Sequence, residues 1–194
     1  MAASDESLAA QAQSGAAEAF SELVRRFQRP VYSLVVRMVR DRALAEDLSQ
    51  EAFVRAWRKL ASYDSNRPFR SWMFKIAHNL AIDELRRQRP DTVPIEEPES
   101  EGMDLLSRLE DPKAVDPGSR LDTERALGHL EEALAQLRPA YREVILLRFK
   151  EGLAYEEIAQ VMDLPLGTVK THIFRARKEL MEAIAAAGYD EAWT

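Results

Sequence analysis

A proline-rich, acidic segment in the middle of this chain limits what it can fold into. Five of the nine prolines fall between residues 90 and 117, and residues 91–122 carry ten acidic side chains against three basic ones. Prolines interrupt helices and strands, and dense like charges resist burial, so this segment cannot build a packed core. We therefore interpret it as a linker between one domain at residues 1–90 and another at residues 123–194. Each of these pieces is long enough for a small core.

The formal charge of -6 is unevenly distributed along the chain. Residues 1–90 carry +4, residues 91–122 carry -7 and residues 123–194 carry -3. An acidic protein is a poor candidate for binding nucleic acid when only its total charge is considered. Because the linker holds more than the whole negative balance, the total charge does not exclude a nucleic-acid partner for either domain.

Several classes of function lack the residues they require. The chain has no cysteine, which excludes disulfides and cysteine-ligated zinc, and its three histidines are isolated from one another. Its scattered glycines form no phosphate-binding loop. The sequence thus predicts no catalytic residue, no metal and no cofactor, and so no enzyme. It also shows neither a secretory signal nor a membrane-spanning apolar run, which predicts a cytoplasmic protein without membrane insertion.

Apolar residues recur at intervals of three and four in both pieces, which predicts an all-α protein of two small helical domains joined by the acidic linker. In the first domain the pattern predicts one helix kinked at Pro30, a second over 42–60 and a third over 71–87. In the second domain a helix should stop before Pro139, and the next should run to Lys150 and be closed by Gly152. The stripe expected to be buried on the first helix consists of Phe20, Leu23, Val24, Phe27, Val31, Val35 and Met38.

The last part of the chain has the pattern of a helix-turn-helix. Two short amphipathic helices flank the breaker sequence at 163–167, and residues 165–178 contain four basic side chains and no acidic one. In such a motif the second helix enters the major groove, where lysine and arginine contact phosphates or guanine. By charge alone, a helical hairpin with a solvated basic face explains the pattern equally well.

Residues 155–159 (YEEIA) and 166–177 (LGTVKTHIFRAR) resemble region 4 of bacterial sigma factors, specifically the extracytoplasmic function (ECF) group of the sigma-70 family. The resemblance implies that this domain reads the minus-thirty-five promoter element and contacts the β flap of RNA polymerase. LuxR-like regulators end in a similar domain, so this half alone leaves a stand-alone regulator open. The residues implied to face DNA are Lys170, Thr171, His172, Phe174, Arg175, Arg177 and Lys178.

The helix predicted over 42–60 places Asp47, Glu51 and Arg55 on one face at steps of four. On these residues alone, a salt-bridged outer face is the favoured interpretation. Residues 45–53 (AEDLSQEAF), however, resemble sigma region 2.2, which binds the clamp helices of the polymerase β′ subunit. The resemblance makes this face a docking surface formed by Asp47, Gln50, Glu51, Val54 and Arg55.

The helix predicted over 71–87 lies in a basic, aromatic stretch of the kind that binds single-stranded DNA. Trp72, Ile76 and Leu80 share one stripe of it and are expected in the core. Residues 69–79 (FRSWMFKIAHN) resemble sigma regions 2.3 and 2.4, which melt and read the minus-ten element, with Asn79 at the base-reading position. The residues implied to contact this element are Arg67, Phe69, Arg70, Lys75, His78, Asn79, Asp83, Arg86 and Arg87.

The two blocks occur in the order of an ECF sigma factor and cover about three quarters of the chain. The resemblance implies three partners: core RNA polymerase, promoter DNA and, as is common in this family, an anti-sigma factor. Twenty-five base pairs span about 85 Å, and an extended 32-residue linker reaches about 110 Å, so the linker is long enough. The alternatives are a dimeric helix-turn-helix regulator of duplex DNA and a helical adaptor that binds only proteins.

Overall fold

The computed structural model describes residues 3–88 and 120–186, and in this part of the chain it contains helices and turns but no strand. The predicted all-α architecture is confirmed. Most of the predicted linker lies outside the described residues, so the domain boundaries stay predictions. The α-helices are α1 Asp5–Gln13, α2 Ala17–Val39, α3 Arg42–Lys59, α4 Phe69–Gln88, α5 Arg120–Gln136, α6 Pro139–Ile145, α7 Tyr155–Met162 and α8 Leu166–Ala186.

Helix α2 is central to the first domain, because α1, α3 and α4 all pack against it. Five residues of its predicted stripe are buried, namely Leu23, Phe27, Val31, Val35 and Met38. Phe20 and Val24, near the start of the helix, are half-buried. The helix continues through Pro30 without ending.

Helix α1 was not predicted, since its sequence is polar and weakly patterned. Ser4 caps its start, because the Ser4 hydroxyl accepts a hydrogen bond from the Ser7 N–H at 3.2 Å. The Glu6 carboxylate accepts the N–H of Phe69 at 3.2 Å. Gln13 donates to the carbonyl oxygens of Leu60 and Tyr63, both at 2.8 Å. Thus α1 fastens the start of α4 and the turn after α3.

Helices α3 and α4 lie close to their predicted positions. Asp41 caps α3 by accepting the N–H of Leu44 at 3.1 Å, and a 3-10 turn at Leu60–Ser62 follows the helix. Helix α4 begins at Phe69, two residues earlier than predicted. Leu80 is buried in the core as expected, and Trp72 and Ile76 pack against it half-buried.

The second domain follows the predicted breaks. Pro139 is the first residue of α6, where its missing N–H costs nothing, and α6 continues into a π-helical turn at Leu146–Lys150. Gly152 closes this segment with φ +69°, a left-handed conformation that glycine adopts without strain. Asp163 ends α7 with φ +58°.

The two domains pack against each other through two helix pairs, α4 with α7 and α2 with α6. Next to the second pair, Arg37 of α2 forms an ion pair with Glu131 of α5 at 2.9 Å, and the ammonium of Lys150, in the turn after α6, donates to the Ser33 hydroxyl of α2. The buried side chains of both domains form one continuous apolar core. One face of α4 is thereby covered by the second domain, while another remains in solvent.

Candidate nucleic-acid and polymerase interfaces

Helices α7 and α8 form the predicted helix-turn-helix. The turn between them is short because Asp163 takes the left-handed conformation, which aspartate tolerates better than most residues. Before α7, the Glu157 carboxylate accepts the N–H of Ala154 at 2.8 Å and satisfies a free donor at the helix start. Val169, Ile173 and Ala176 seat α8 in the core.

The basic side chains of α8 lie on its accessible faces. Lys170, Arg175 and Arg177 are half-buried, and Lys178 is exposed with its ammonium 3.9 Å from Glu182. Thr171 turns its hydroxyl back to the carbonyl of Gly167, to which it donates at 3.0 Å. The helix therefore offers a cationic surface along its first three turns.

His172 does not lie on this surface, contrary to expectation. Its side chain is buried, and its ring centroid lies 5.1 Å from that of Tyr141 in a tilted contact. In this position the imidazole contributes to the packing of the second domain and cannot reach a base edge.

Part of the predicted minus-ten set lies on the solvent face of α4. Asn79, Asp83 and Arg86 are exposed, as their spacing of four and three on the helix allows. Arg87 is also exposed and pairs with the buried Glu84 at 2.7 Å. Arg67, in the loop before the helix, is exposed 3.7 Å from Asp64. This face leaves an amide and several cations accessible.

A second stripe of α4 faces the second domain instead of solvent. His78 Nδ1 lies 2.6 Å from Glu143 Oε1, and the Ser71 hydroxyl donates to Glu157 at 2.7 Å. Lys75 Nζ lies 3.6 Å from Asp163. Next to this stripe, the Arg70 guanidinium lies 3.5 Å from Glu151. Burial raises the pKa of Glu151, while the positive charge of Arg70 opposes that rise.

Phe69 is a core residue, which corrects the expectation that it faces DNA. Its side chain is 1% exposed. Its ring centroid lies 5.4 Å from that of Phe27 and 5.5 Å from those of Tyr63 and Trp72. Burial, reinforced by nearby acidic groups, raises the pKa of Tyr63 to about 12, and its hydroxyl donates to the carbonyl of Arg67. Phe69 thus holds the loop before α4 against the domain.

The surface predicted to dock on polymerase lies along α3. Asp47, Gln50 and Val54 are exposed, and Glu51 and Arg55 form a half-exposed ion pair at 2.8 Å. This surface also includes Trp57. Trp57 is 47% exposed, with its ring 4.9 Å from that of Phe20. An exposed aromatic supported by a second ring is typical of a protein-binding anchor.

Sequence reasoning missed two buried charged residues of α6, Arg142 and Glu143. In the sequence both residues lie among apolar neighbours, and those neighbours are the only feature that indicates a buried helix. Arg142 donates to the carbonyl oxygens of Leu134, Ala135 and Leu137 in its own domain and to that of Arg37 in the first, at 2.6–2.8 Å. Burial lowers the pKa of Arg142, and the nearby charge of Arg40 adds to the effect.

Among residues 3–88 and 120–186, no cluster of three or more histidine, aspartate or glutamate side chains could hold a metal ion. In the same ranges no helix is both long enough and apolar enough to span a membrane.

Family models match both domains. The model of sigma-70 region 2 matches residues 23–90, and that of sigma-70 region 4 matches residues 127–180. The region 2 match covers the first domain, whose presence would not be explained if the chain were a stand-alone helix-turn-helix regulator. That alternative is therefore not favoured.

Similar proteins are matched over nearly their whole length. The ECF RNA polymerase sigma factor SigW of Bacillus subtilis is 33% identical over 175 residues, which are 90% of this chain and 93% of SigW. The RNA polymerase sigma-H factor of Pseudomonas aeruginosa is 35% identical over 182 residues, 93% of each chain. Among solved structures, CnrH in complex with the cytosolic domain of CnrY has a TM-score of 0.67 and 28% identity, covering 94% of this chain and 97% of that chain.

The order of the two matched regions, the all-α fold and the near-full-length relatives agree with one another. The chain belongs to the ECF group of the sigma-70 family, the sigma factors that bind core RNA polymerase and direct promoter-specific transcription initiation.

Proposed function

We propose that different groups of accessible side chains bind different partners. Region 2 docks on the polymerase clamp through α3 and reads the melted minus-ten element with α4, while region 4 reads the minus-thirty-five element with α8. The observation that carries this proposal is that α4 and α8, one in each matched region, expose cations and polar groups on otherwise core-forming helices. The docking residues are Asp47, Gln50, Glu51, Val54 and Arg55.

The DNA contacts divide by chemistry. On α4, Asn79 offers both a donor and an acceptor to an unpaired base, and Arg86 and Arg87, together with Arg67 in the preceding loop, neutralise phosphates. Arg70, Lys75 and His78 join this surface once the second domain moves away. On α8 the proposed contacts are Lys170, Thr171, Phe174, Arg175, Arg177 and Lys178. Phe69 and His172 support the two surfaces from within the cores.

The proposal extends to partners and place of action. Because CnrH has been solved with the cytosolic domain of another protein, we infer that a protein regulator of the anti-sigma kind binds this chain as well. The chain acts where polymerase and promoter DNA are, in the cytoplasm, and as an initiation factor it carries out no catalysis of its own. Its specificity arises from binding.

Transcription by purified core polymerase tests the function directly. Core polymerase with this chain, supplied with genomic DNA of the source organism, is expected to produce transcripts whose start sites share two upstream elements. Core polymerase alone should not produce them, since the chain supplies the promoter specificity. Sequencing the 5′ ends of the RNA gives the readout.

The alternatives predict different results in the same assay. A dimeric regulator would bind a palindromic duplex without polymerase and add no new start sites. A protein-binding adaptor would be insensitive to the double variant Lys170→Ala, Arg175→Ala, whereas a sigma factor that reads DNA with α8 loses initiation at promoters that depend on the minus-thirty-five element.

Asn79→Ala tests the minus-ten assignment. The loss of one amide that contacts a base is expected to reduce open-complex formation about 5- to 150-fold, the effect of about 1–3 kcal/mol. Permanganate reactivity of the melted strand measures opening, and native gels with core polymerase measure docking, which should not change because Asn79 lies on α4 and is not one of the docking residues of α3.

Gln28→Ala is the matched control, since Gln28 is an exposed amide on α2 outside the proposed interfaces. If Asn79→Ala weakened docking and opening equally, Asn79 would be a structural residue and the assignment would be wrong.

A further inference from the structure

Helix α1 contacts both ends of the segment that leads from α3 into α4. At the first end, the Gln13 amide donates to the carbonyl oxygens of Leu60 and Tyr63, both at 2.8 Å. At the second end, the Glu6 carboxylate accepts the N–H of Phe69 at 3.2 Å. Both contacts join residues that are far apart in the sequence, so α1 helps to determine how this segment is placed on the domain.

The two contacts come from one face of α1. Glu6 and Gln13 are seven positions apart, which is close to two helical turns, so they lie on the same face about 10 Å apart along the helix axis. The helix is itself fixed to α2, because the Arg26 guanidinium donates to the Asp5 carboxylate at 2.7 Å. Another face contributes three buried side chains, Leu8, Ala9 and Ala12. Helix α1 therefore sets a fixed spacing between the two ends of the segment.

We call residues 60–68 the minus-ten loop, because they contain Arg67, which the proposed function assigns to the minus-ten element. The Arg67 N–H donates to the Asp64 carbonyl at 3.0 Å, and the Tyr63 hydroxyl donates to the Arg67 carbonyl. Residues 64–68 are all exposed, whereas Tyr63 is buried. The exposed part of the loop is therefore closed on itself, and its position on the domain depends on how the two ends are held.

Each end of the loop is held by a particular kind of hydrogen-bonding group. The carbonyls of Leu60 and Tyr63 flank a 3-10 turn, and the Gln13 amide has two N–H groups, one for each carbonyl. Phe69 is the first residue of α4, where N–H groups have no partner within the helix and a negative charge is favourable. The Glu6 carboxylate meets both requirements. A single substitution therefore removes either contact.

The two contacts bear on promoter recognition because they act before DNA is bound. A loop that is already held in place loses less conformational entropy on binding than a loop that must first be ordered, and it binds more tightly for that reason. Arg67 lies in the minus-ten loop, and Asn79 lies on α4 ten positions after Phe69. The placement of Arg67 depends directly on the held ends, and that of Asn79 depends on where α4 begins.

We propose that Glu6 and Gln13 are positioning residues for minus-ten recognition. Through them, α1 holds the minus-ten loop and the start of α4 in the arrangement that contacts the melted strand. In this role neither side chain contacts DNA, and each acts through the backbone to which it is hydrogen-bonded. The proposal rests on the proposed function for its assignment of Arg67 and Asn79 to the minus-ten element.

Gln13→Glu tests the first contact, because it keeps the shape of the side chain, removes both donors and directs a carboxylate at two carbonyl oxygens. Gln13 is exposed, so the chain is expected to fold. Hydrogen exchange of the amides in residues 60–68 should become faster. Opening of a promoter identified from RNA 5′ ends, measured by permanganate, should fall about 5- to 10-fold, as expected when the competent arrangement of the loop is populated that much less.

Gln11→Glu is the matched control for this substitution. It makes the same change at an exposed position of the same helix, where the Gln11 amide donates to the Ser7 hydroxyl within α1 at 3.3 Å. Loop exchange and opening should both stay within about twofold of the unaltered chain. Docking on core polymerase, followed on native gels, should not change in either variant, because a positioning residue of the loop does not contribute to the surface on α3.

Two substitutions of Glu6 test the second contact and separate positioning from general stability. Glu6→Ala removes the acceptor for the Phe69 N–H and should reduce opening to a similar extent. Glu6→Gln keeps an acceptor oxygen and should recover most of that loss. A merely structural role would lower Tm, docking and opening together, and the glutamine variant would then restore none of them selectively.

A double-mutant cycle tests whether Gln13 acts through the loop. In a chain that already carries Arg67→Ala, Gln13→Glu should reduce opening by a smaller factor than in the unaltered chain, because part of what the loop contributes is already lost. Equal factors in both chains would mean that Gln13 affects opening by a route other than the minus-ten loop, which would contradict the proposal.

The remaining outcomes distinguish this proposal from the proposed function on which it rests. Unchanged loop exchange in Gln13→Glu, or faster exchange with unchanged opening, would overturn the positioning role alone. If Arg67→Ala and Asn79→Ala themselves left opening unchanged, the minus-ten assignment would fail, while the exchange of residues 60–68 would still report whether α1 holds the loop.

Discussion

Replacing Arg142 with methionine is expected to destabilise the chain by about 3–5 kcal/mol, at the upper end of single substitutions. The guanidinium donates four hydrogen bonds to carbonyl oxygens at the ends of α5 and α2. The last carbonyls of a helix have no partner within it and carry the negative end of its dipole. Methionine fills the volume but removes the guanidinium donor from all four buried or half-buried acceptors, of which the Ala135 carbonyl still accepts from Arg40 at 3.3 Å.

Thermal unfolding followed by circular dichroism measures this effect. For a chain of this size, each kcal/mol lowers Tm by about 2–4 °C, so a fall of about 10 °C is expected. Arg142→Lys should recover only part of the loss, because one ammonium cannot reproduce the planar set of donors. Arg58→Met, at an exposed site on α3, should change Tm by no more than a degree or two. An unchanged Tm in Arg142→Met would mean that water satisfies these carbonyls.

The periodic pattern of the sequence was sufficient to predict most of the helices. The stripe on α2, the break before Pro139 and the closing Gly152 each depend on local chemistry that one helix determines for itself. The helix-turn-helix was predicted for the same reason, since its apolar spacing and its breaker lie within about thirty residues.

The parts that were missed depend on distant partners. Helix α1 is weakly amphipathic, and its role appears only when Glu6 meets the start of α4, 63 residues later. Likewise, the sequence shows Glu143 only as one polar residue in an apolar stretch. Its contact with His78 of the other domain is visible only in the folded structure. A charge becomes informative only when its partner is known, and no periodicity connects these positions.

The misplacement of Phe69 has a related cause. Aromatic residues among basic ones are typical both of a surface that stacks on bases and of a core beneath a basic surface. Sequence spacing did not separate these two interpretations for Phe69, because two of its three ring partners, Phe27 and Tyr63, lie on α2 and in the loop before α4. The structure assigns it to the core.

This assignment predicts losses of stability of different size for two substitutions of Phe69. Phe69→Ala should cost about 3–5 kcal/mol, since it empties a site between three other rings and loosens the loop that leads into α4. Phe69→Leu keeps most of the apolar volume and should lose less than about 1.5 kcal/mol. Urea unfolding measures both variants, because the change in midpoint at constant slope reports stability.

The same two substitutions distinguish a core role of Phe69 from a DNA-binding role. If Phe69 only packs, the leucine variant should form open complexes nearly as well as the unaltered chain, because the loop and Asn79 keep their positions. If the ring stacks on an unpaired base, leucine should reduce opening about 5- to 150-fold even though the chain is folded, the loss of about 1–3 kcal/mol per base. A stable Phe69→Leu chain with that defect would show that the loop before α4 opens on DNA and releases this side chain from the core.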